Sequence, residues 1–177
     1  MVKVLTASET ERMIPPELTD GLAMQDIDTE HRIFRTPGYN SGRTEDKYTC
    51  EANSRILAQN YAKTITDEII ILMDSDVMLL KPNALSLLIE HISSIETCGI
   101  AALWFGRIKK KTTKLTHVDI KCCAIRREIF VSVDYLKRPK TTCLCDHTRK
   151  TAESMGYYAE YINFYTYAKE LSRKELK

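Results

Sequence analysis

The sequence predicts an α/β fold with a mostly parallel central sheet flanked by helices. Two apolar runs, EIIILM at 68–73 and GIAALW at 99–104, are too short for buried helices and suit strands covered on both faces. Asp46–Ala62 and Ala84–Ser94 repeat apolar residues at helical spacing. Strands that alternate with helices in this way are typical of α/β proteins.

The remaining segments fit the same pattern. Between the first two strands, Ala7–Asp28 contains two prolines and a glycine, which predicts a loop with one helical turn. The other predicted strands are Val2–Thr6, His31–Thr36, His117–Ile125 and Ile129–Val133, and the C-terminal third is predicted to form a helix at Thr148–Met155 and a strand followed by a helix at Tyr157–Tyr167.

Composition excludes several classes of protein. The 177 residues fit one domain, and the formal net charge of +2 gives no general argument for nucleic acid or a membrane surface as a partner. No stretch approaches the roughly 20 apolar residues that a transmembrane helix needs. The first residues lack the long apolar region of a secretory signal, so we expect a cytoplasmic protein.

The six cysteines match no common zinc pattern, because no CxxC pair is present. Cys143, Cys145 and His147 could together bind a metal. A disulfide between the Cys122–Cys123 region and the Cys143–Cys145 region is an alternative. The spacing alone does not decide between these arrangements and reduced thiols.

Asp74 and Asp76 directly follow the apolar run at 69–73. In open α/β sheets, ligands bind beyond the carboxyl ends of the strands. Side chains two residues apart in a turn at that edge can converge on one site, and a hard cation such as Mg²⁺ or Mn²⁺ binds carboxylates together with phosphate oxygens. The alternative is that both carboxylates cap the turn or are simply solvated at a strand end.

The segment ILMDSDVMLLKPNAL at 71–85 resembles the donor site of GT-A glycosyltransferases, in particular the large inverting family of nucleotide-sugar transferases. Cys50–Arg55 is similar to the Ala-Arg-Asn-x-Gly segment of that family, with Asn53 at the position of its Asn. Cys123–Phe130 resembles the acceptor-side segment, and Gly156–Tyr158 resembles the end of the helix that follows the catalytic base. These landmarks occur in the expected order along the chain.

The resemblance implies a single GT-A domain over 1–177, with a donor nucleotide-binding half at 1–80 and an acceptor half at 81–177. Asp74 would contact the donor ribose or the metal, and Asp76 would be the main ligand of Mn²⁺ or Mg²⁺. The nucleotide-diphosphosugar would also be contacted by the remaining predicted donor-site residues, namely Thr6, Ser8 and Glu9 in a loop after the first strand, together with Asn53 and Ser75.

For the catalytic base, the resemblance points to Asp146, which would deprotonate the hydroxyl group of a glycan, protein or lipid acceptor; Asp119 is the second candidate. Asp146 could instead, or in addition, be the N-cap of the helix at 148–155. The sequence departs from the family in that Cys145 replaces the first member of an acidic pair, and no histidine follows His147. These departures and the short length suggest a minimal viral or archaeal member.

Rival functions are less consistent with the motifs. A haloacid-dehalogenase-like phosphatase would carry its Asp-x-Asp on the first strand, a P-loop NTPase needs G-x-x-x-x-G-K-[ST], and a nucleotidyltransferase needs a glycine-rich loop after the first strand. A non-catalytic sugar-nucleotide-binding or structural protein on a degenerate transferase scaffold remains the alternative to an enzyme.

Overall fold

A six-stranded sheet forms the centre of the part of the chain that the computed structural model describes, which comprises residues 1–9, 14–36, 44–103, 118, 120–139, 142–162 and 167–171. The strands are β1 (Val2–Glu9), β2 (Thr29–Thr36), β3 (Ile69–Asp74), β4 (Val77–Leu79), β5 (Cys98–Leu103), β6 (Cys122–Arg126), β7 (Tyr158–Ile162) and β8 (Ala168–Glu170). The helices are α1 (Pro16–Ala23), α2 (Thr44–Ala62), α3 (Ala84–Ser94), α4 (Arg127–Ser132) and α5 (Leu144–Ser154), with a 3₁₀ turn at Tyr135–Lys137.

The main sheet has the order β2-β1-β3-β6-β5-β7. Strand β1 is parallel to both β2 and β3, and β5 is parallel to β7, whereas β6 is antiparallel to its neighbours β3 and β5. Five of the six strands therefore point the same way, and their carboxyl ends lie at one edge of the sheet. This confirms the predicted α/β fold with a mostly parallel sheet.

The sheet is buried on both faces, and β3 shows why its sequence is apolar throughout. Ile71 and Met73 pack into a core beneath α1 and α3, whereas Ile70 and Leu72 pack into a second core on the opposite face, with Phe130. Successive side chains of a strand point to opposite faces, so a strand between two cores needs apolar residues at every position.

Several element predictions were wrong in extent or type. Strand β1 continues to Glu9, so the loop predicted at Thr6 does not begin there. The predicted single turn is the eight-residue helix α1, which buries Leu18 and Leu22 one turn apart. Helix α5 begins at Leu144 rather than at 148.

One apolar segment adopts the opposite type of structure. The predicted strand Ile129–Val133 lies largely in helix α4, since a five-residue apolar run fits either type and β6 already fills the place in the sheet. The helix expected after β7, as far as Tyr167, falls mostly on residues outside the described part of the structure, and strand β8 at Ala168–Glu170 was not predicted.

Strands β4 and β8 form a separate antiparallel pair. The pairing is extended at both ends, because Leu80 donates its N–H to the carbonyl of Tyr167 (2.8 Å) and Leu171 donates to the carbonyl of Asp76 (2.7 Å). The segment at 167–171 is therefore attached directly behind the acidic turn at 74–76.

The five cysteines whose positions the structure describes, Cys98, Cys122, Cys123, Cys143 and Cys145, are all free thiols. The disulfide considered from the sequence is thus absent between the 122–123 and 143–145 regions. None of the helices within the described ranges has the length and apolar character needed to cross a membrane.

Candidate active site

Asp74 is the last residue of β3, the strand between β1 and β6. It lies opposite Ala7 of β1, and its N–H donates to the carbonyl of Lys121 at 2.7 Å. The apolar sequence that precedes it keeps β3 in the middle of the sheet. Asp74 is consequently at the carboxyl edge of the parallel strands, where α/β proteins bind ligands.

Asp74 forms an ion pair with Arg55 of α2. The distance from Arg55 Nη2 to Asp74 Oδ1 is 3.2 Å, and the Arg55 side chain is only 8% exposed whereas that of Asp74 is 32% exposed. Burial opposes the charge on Arg55, but the Asp74 carboxylate, the largest of the opposing causes, raises the pKa of the guanidinium above its usual value. A permanently charged, buried guanidinium thus holds the carboxylate that ends β3.

Asp76 and Ser75 lie in the tight turn between β3 and β4. Ser75 is 4% exposed and Asp76 is partly buried. The carbonyl of Asp76 accepts the hydrogen bond from Leu171, so its backbone is held from β8. The turn that carries the second carboxylate is therefore fixed by two strands.

The predicted nucleotide contacts fall into different environments. Thr6 is inside β1, is fully buried, and its Oγ1 lies 2.9 Å from Nε2 of His31. Ser8 is 6% exposed, and its carbonyl accepts a hydrogen bond from Ser54 Oγ. Asn53 is exposed on α2. Thr6 is thus directed into the protein, whereas Asn53 faces solvent.

For two of the predicted site residues, the structure does not describe the side chain. Glu9 ends β1, but its side chain lies outside the described part of the structure. Asp119, the second candidate for the base, lies outside the described residues altogether. Their roles stay predictions.

Asp146 is in the first turn of α5, and the N-cap is Cys143. The Cys143 Sγ accepts a hydrogen bond from the Asp146 N–H at 3.3 Å, so the expectation that Asp146 caps this helix is wrong. The carboxylate pairs with Lys150 Nζ (2.8 Å) and Arg149 Nη2 (2.6 Å). The hydrogen bond from Lys150 and then that from Arg149 lower the pKa of Asp146 against the opposing effect of burial, so the group is ionised.

The first turn of α5 is close to Arg55. Cys145, which immediately precedes Asp146, packs against the core that contains Ala52 of α2, Leu72 of β3 and Tyr135. The N-terminal end of α5 and the end of β3 are therefore brought to the same region around Arg55. The sequence offered one signal for this role of Arg55, namely its place in a segment similar to a family motif.

The possible metal site at Cys143, Cys145 and His147 is not formed. Cys143 Sγ caps α5, and His147 Nε2 lies 2.9 Å from the carbonyl oxygen of Asp134. Within the described ranges, these three side chains do not bring their ligand atoms together.

The donor atoms of the acidic turn fit a hard cation. Asp74 and Asp76 supply carboxylate oxygens, and neither thiol nor imidazole ligands are predicted here, which matches the preference of Mg²⁺ and Mn²⁺ for oxygen. The Asp74 side chain is 32% exposed, which leaves room for a ligand with its own phosphate oxygens, whereas Oδ1 of Asp76 is buried.

Comparison of the sequence with protein-family models and with curated proteins gives no match. Comparison of the structure with solved structures does. The mannosyltransferase PcManGT from Pyrobaculum calidifontis, in complex with GDP-Man and Mn²⁺, is similar over 93% of this chain and 55% of its own, with a TM-score of 0.60 and 14% identity.

Two further structures are similar. Glucosyl-3-phosphoglycerate synthase from Mycobacterium tuberculosis, in complex with Mg²⁺ and uridine diphosphate, has a TM-score of 0.60 and 13% identity over 98% of this chain and 72% of its own. A197 from STIV has a TM-score of 0.56 and 12% identity over 92% of this chain and 82% of its own. The chain spans little more than half the length of the mannosyltransferase.

The structural neighbours of this chain are GT-A glycosyltransferases. At 12–14% identity the likeness shows the fold rather than the reaction. It agrees with the observed sheet, in which one antiparallel strand is inserted among parallel strands. The chain therefore has the GT-A fold, as the resemblance in its sequence predicts.

Proposed function

We propose that this protein is a metal-dependent glycosyltransferase that moves a sugar from a nucleotide-diphosphosugar to an acceptor hydroxyl group by an inverting single displacement. The observation that carries the proposal is the position of Asp74 and Asp76 at the carboxyl end of the central strand of a GT-A fold, with Asp74 fixed by the buried Arg55. Complexes of the structural neighbours with GDP-Man and Mn²⁺ and with uridine diphosphate and Mg²⁺ support it.

Asp76 and Asp74 would hold Mn²⁺ or Mg²⁺ in this protein. When bound, such a cation neutralises the negative charge of the diphosphate that leaves. Arg55 has a separate task, which is to hold the Asp74 carboxylate in one orientation. Ser75, Asn53, Ser8 and Glu9 are proposed to line the donor site around these groups.

Asp146 is proposed as the general base. The oxygen of the acceptor hydroxyl group forms a bond to the anomeric carbon of the donor, and the bond from that carbon to the diphosphate oxygen breaks on the opposite side. The hydroxyl proton moves to a carboxylate oxygen of Asp146, and the nucleoside diphosphate leaves. An ionised carboxylate is required for this step, and the ion pairs of Asp146 keep it ionised.

Thermal unfolding tests the donor site. A ligand that binds only the folded protein raises its melting temperature, so UDP- and GDP-linked sugars are screened with and without Mn²⁺. We expect one class of donor to raise the melting temperature only with Mn²⁺ present, and Asp76→Ala to abolish that shift. Absence of any Mn²⁺-dependent shift, or an unchanged shift in Asp76→Ala, would contradict the proposed donor site.

The base is tested separately with the donor identified in this way. Asp146→Asn keeps the size of the side chain but removes its basicity, so we expect donor binding to persist and transfer to fall by about 10²–10⁴-fold. Asp119→Asn is made in parallel. If Asp119→Asn removes transfer and Asp146→Asn does not, the base is Asp119.

One observation favours a second function, a non-catalytic sugar-nucleotide-binding protein. Asp146 forms ion pairs with Arg149 and Lys150, and the lowered pKa that results makes its carboxylate a weaker base. Under this alternative, the donor binds with Mn²⁺ but is neither transferred nor slowly hydrolysed. Release of free sugar that disappears in Asp76→Ala, with folding intact, favours the enzyme.

A further inference from the structure

A second group of potential metal ligands lies away from the acidic turn. His91 of α3, Cys98 of β5 and Glu160 of β7 each point one ligand atom into a common space, and these atoms all lie within 4.8 Å of one another. His91 Nε2 and Glu160 Oε1 are 2.6 Å apart. Three different elements, separated by up to 69 positions in sequence, thus bring together an imidazole, a thiol and a carboxylate.

The group is at the edge of the sheet opposite to the acidic turn. Strands β3 and β5 run in the same direction, since both are antiparallel to β6. Asp74 is the last residue of β3, whereas Cys98 is the first residue of β5. The two sites are therefore independent of each other in space.

The backbone around Cys98 is held in place by Arg126. Its guanidinium donates to the carbonyl of Cys98 (Nε, 2.9 Å) and, through Nη2, to the carbonyls of Ile92, Ile95 and Glu96 at 3.0–3.2 Å. These contacts fix the connection between α3, which carries His91, and β5, which carries Cys98. Preorganised ligands cost less entropy when a metal binds.

The ligand set suits a borderline-soft divalent ion. Zn²⁺ binds Cys sulfur at about 2.3 Å and His nitrogen or carboxylate oxygen at about 2.0 Å, so tetrahedral ligands lie about 3.3–3.6 Å apart. The His91–Glu160 pair needs to open by about 0.7–1 Å, and the separations from Cys98 Sγ, which are at most 4.8 Å, need to close by at most about 1.5 Å. Small rotations of side chains achieve both.

We propose that His91, Cys98 and Glu160 form a binding site for a zinc-class divalent cation, distinct from the Mn²⁺ or Mg²⁺ site at the acidic turn. Cys98 is fully buried, whereas the side chains of His91 and Glu160 are 28% and 36% exposed. A cation can therefore enter from the solvent side, and a fourth coordination position stays open to water.

Binding forms a sulfur–metal bond and releases the thiol proton of Cys98 to solvent. Burial raises the pKa of this thiol to about 11 in the metal-free protein. The ion displaces that proton and replaces the His91–Glu160 hydrogen bond with two metal bonds. Among the described elements, β7 is an edge strand of the main sheet. The ion would therefore link this strand to α3 and β5.

Co²⁺ titration of the full chain after chelator treatment is the test. Co²⁺ replaces Zn²⁺ in such sites, and a bond to thiolate gives an intense near-ultraviolet charge-transfer band, which carboxylate ligands do not give. We expect one equivalent of Co²⁺ to produce this band and Zn²⁺ to displace it. Absence of the band in the intact protein, or a band that Zn²⁺ leaves in place, would overturn the proposal.

The variants assign the ligands. Cys98→Ser should abolish the band, and His91→Gln and Glu160→Gln should each weaken binding by at least about tenfold, since loss of outer-shell partners alone costs 10–100-fold. The matched control is the Cys143→Ser/Cys145→Ser double variant, which removes the two partly exposed thiols among the described cysteines and should retain the band. Persistence of the band in Cys98→Ser, or its loss in the double variant, would show that the assignment is wrong.

Stability provides a second readout. Zn²⁺ should raise the melting temperature of the wild-type protein and of Asp76→Ala by the same amount, and that of Glu160→Gln by less at the same Zn²⁺ concentration. This outcome does not depend on the proposed transferase activity, because Asp76→Ala removes only the donor site. Equal Zn²⁺ shifts in the wild type and Glu160→Gln would exclude Glu160 as a ligand.

Discussion

At the scale of single residues, burial gives Arg55 and Asp74 different roles within their ion pair. Arg55 is almost fully buried and Asp74 is one-third exposed, so the guanidinium belongs to the core and the carboxylate to the surface of the site. A buried charge is stable only when it is paired. Arg55 therefore constrains Asp74, whereas the backbone of Asp76 is held by β8 through Leu171.

Arg55→Met tests this division of tasks. We expect the free energy of unfolding to fall by about 1–3 kcal/mol, the cost of losing a hydrogen bond to a charged group. The Mn²⁺-dependent donor shift should also decrease, because Asp74 loses its orientation. Urea unfolding and thermal shift measure the two effects.

Arg32→Met is the control for the Arg55 variant. Arg32 also pairs with a carboxylate, Glu30, but its side chain is 53% exposed, so its loss should lower the free energy of unfolding much less than the loss of Arg55 does. Equal losses of stability in the two variants would contradict the role of burial.

Glu30 of β2 is the carboxylate with the clearest consequence for pH. It accepts hydrogen bonds from Lys3, Arg32 and Tyr61, which lower its pKa from 4.5 to about 2. Since the pKa is lower in the folded protein, Glu30 contributes stability that is complete above its unfolded value of 4.5 and is lost as the pH falls towards 2.

Glu30→Gln should therefore lower the melting temperature at neutral pH. The difference from the wild type should shrink progressively between pH 4.5 and pH 2, because the wild-type carboxylate becomes protonated there. Melting temperatures of both proteins across this range provide the measurement. A difference that stays constant down to pH 2 would rule out the charge of Glu30 as the cause.

At the scale of elements, β5 is packed so closely that one position admits only glycine. A Cβ atom at Gly99 would lie 2.4 Å from Cδ1 of Ile129 in α4 and 2.6 Å from Cβ of Tyr157, just before β7. The contact with Tyr157 involves an atom next to the backbone, which cannot turn away. Gly99 thus sets the distance between β5 and its neighbours.

Gly99→Ala is expected to lower the free energy of unfolding by about 1–3 kcal/mol, as overpacking does in dense cores. Gly156 is the matched control, because its φ is +86° and no atom lies within 4 Å of an added Cβ. There the cost arises from backbone conformation alone, so asparagine should be tolerated better than alanine. At Gly99 asparagine should be worse than alanine, and the opposite order would refute the packing explanation.

At the scale of the whole molecule, the far C-terminal strand supports the acidic turn. Strand β8 pairs with β4 and holds the carbonyl of Asp76 through Leu171. Residues almost a hundred positions apart in sequence therefore share one small sheet. The geometry of the turn depends on a segment that carries none of the predicted donor ligands.

Ala168→Glu tests this dependence. Ala168 is 5% exposed within the core that contains Leu79, so a carboxylate there should separate β8 from β4 and cost about 2–4 kcal/mol. The Mn²⁺-dependent donor shift should weaken at the same time. Lys169→Glu places the same side chain at an exposed position of the same strand and should leave the donor shift unchanged.

Donor affinity is measured for both variants at a temperature where each is folded. If Ala168→Glu binds the donor as tightly as Lys169→Glu does, then β8 does not position the acidic turn. That result would leave the role of β8 confined to stability.

Local pattern was sufficient for the parts of the fold whose burial repeats with a simple period. Strands β3 and β5 and helices α2 and α3 were predicted within about two residues, because an apolar run or a helical repeat records which faces are covered. The same run placed Asp74 at a strand end, and the ordered motifs predicted the GT-A fold.

The tertiary structure alone decided which distant side chains meet. Arg55 is joined to Asp74 across 19 positions, and His91 to Glu160 across 69. The segment of helix α4 was mistaken for a strand, and strand β8 was not predicted, because short segments take the structure that their neighbours leave available. The amino-acid sequence by itself determined the layers and the acidic strand end, since these follow from the local hydrophobic period. The partners of individual side chains and the type of the short elements depend instead on strand order, which is a property of contacts far apart along the chain.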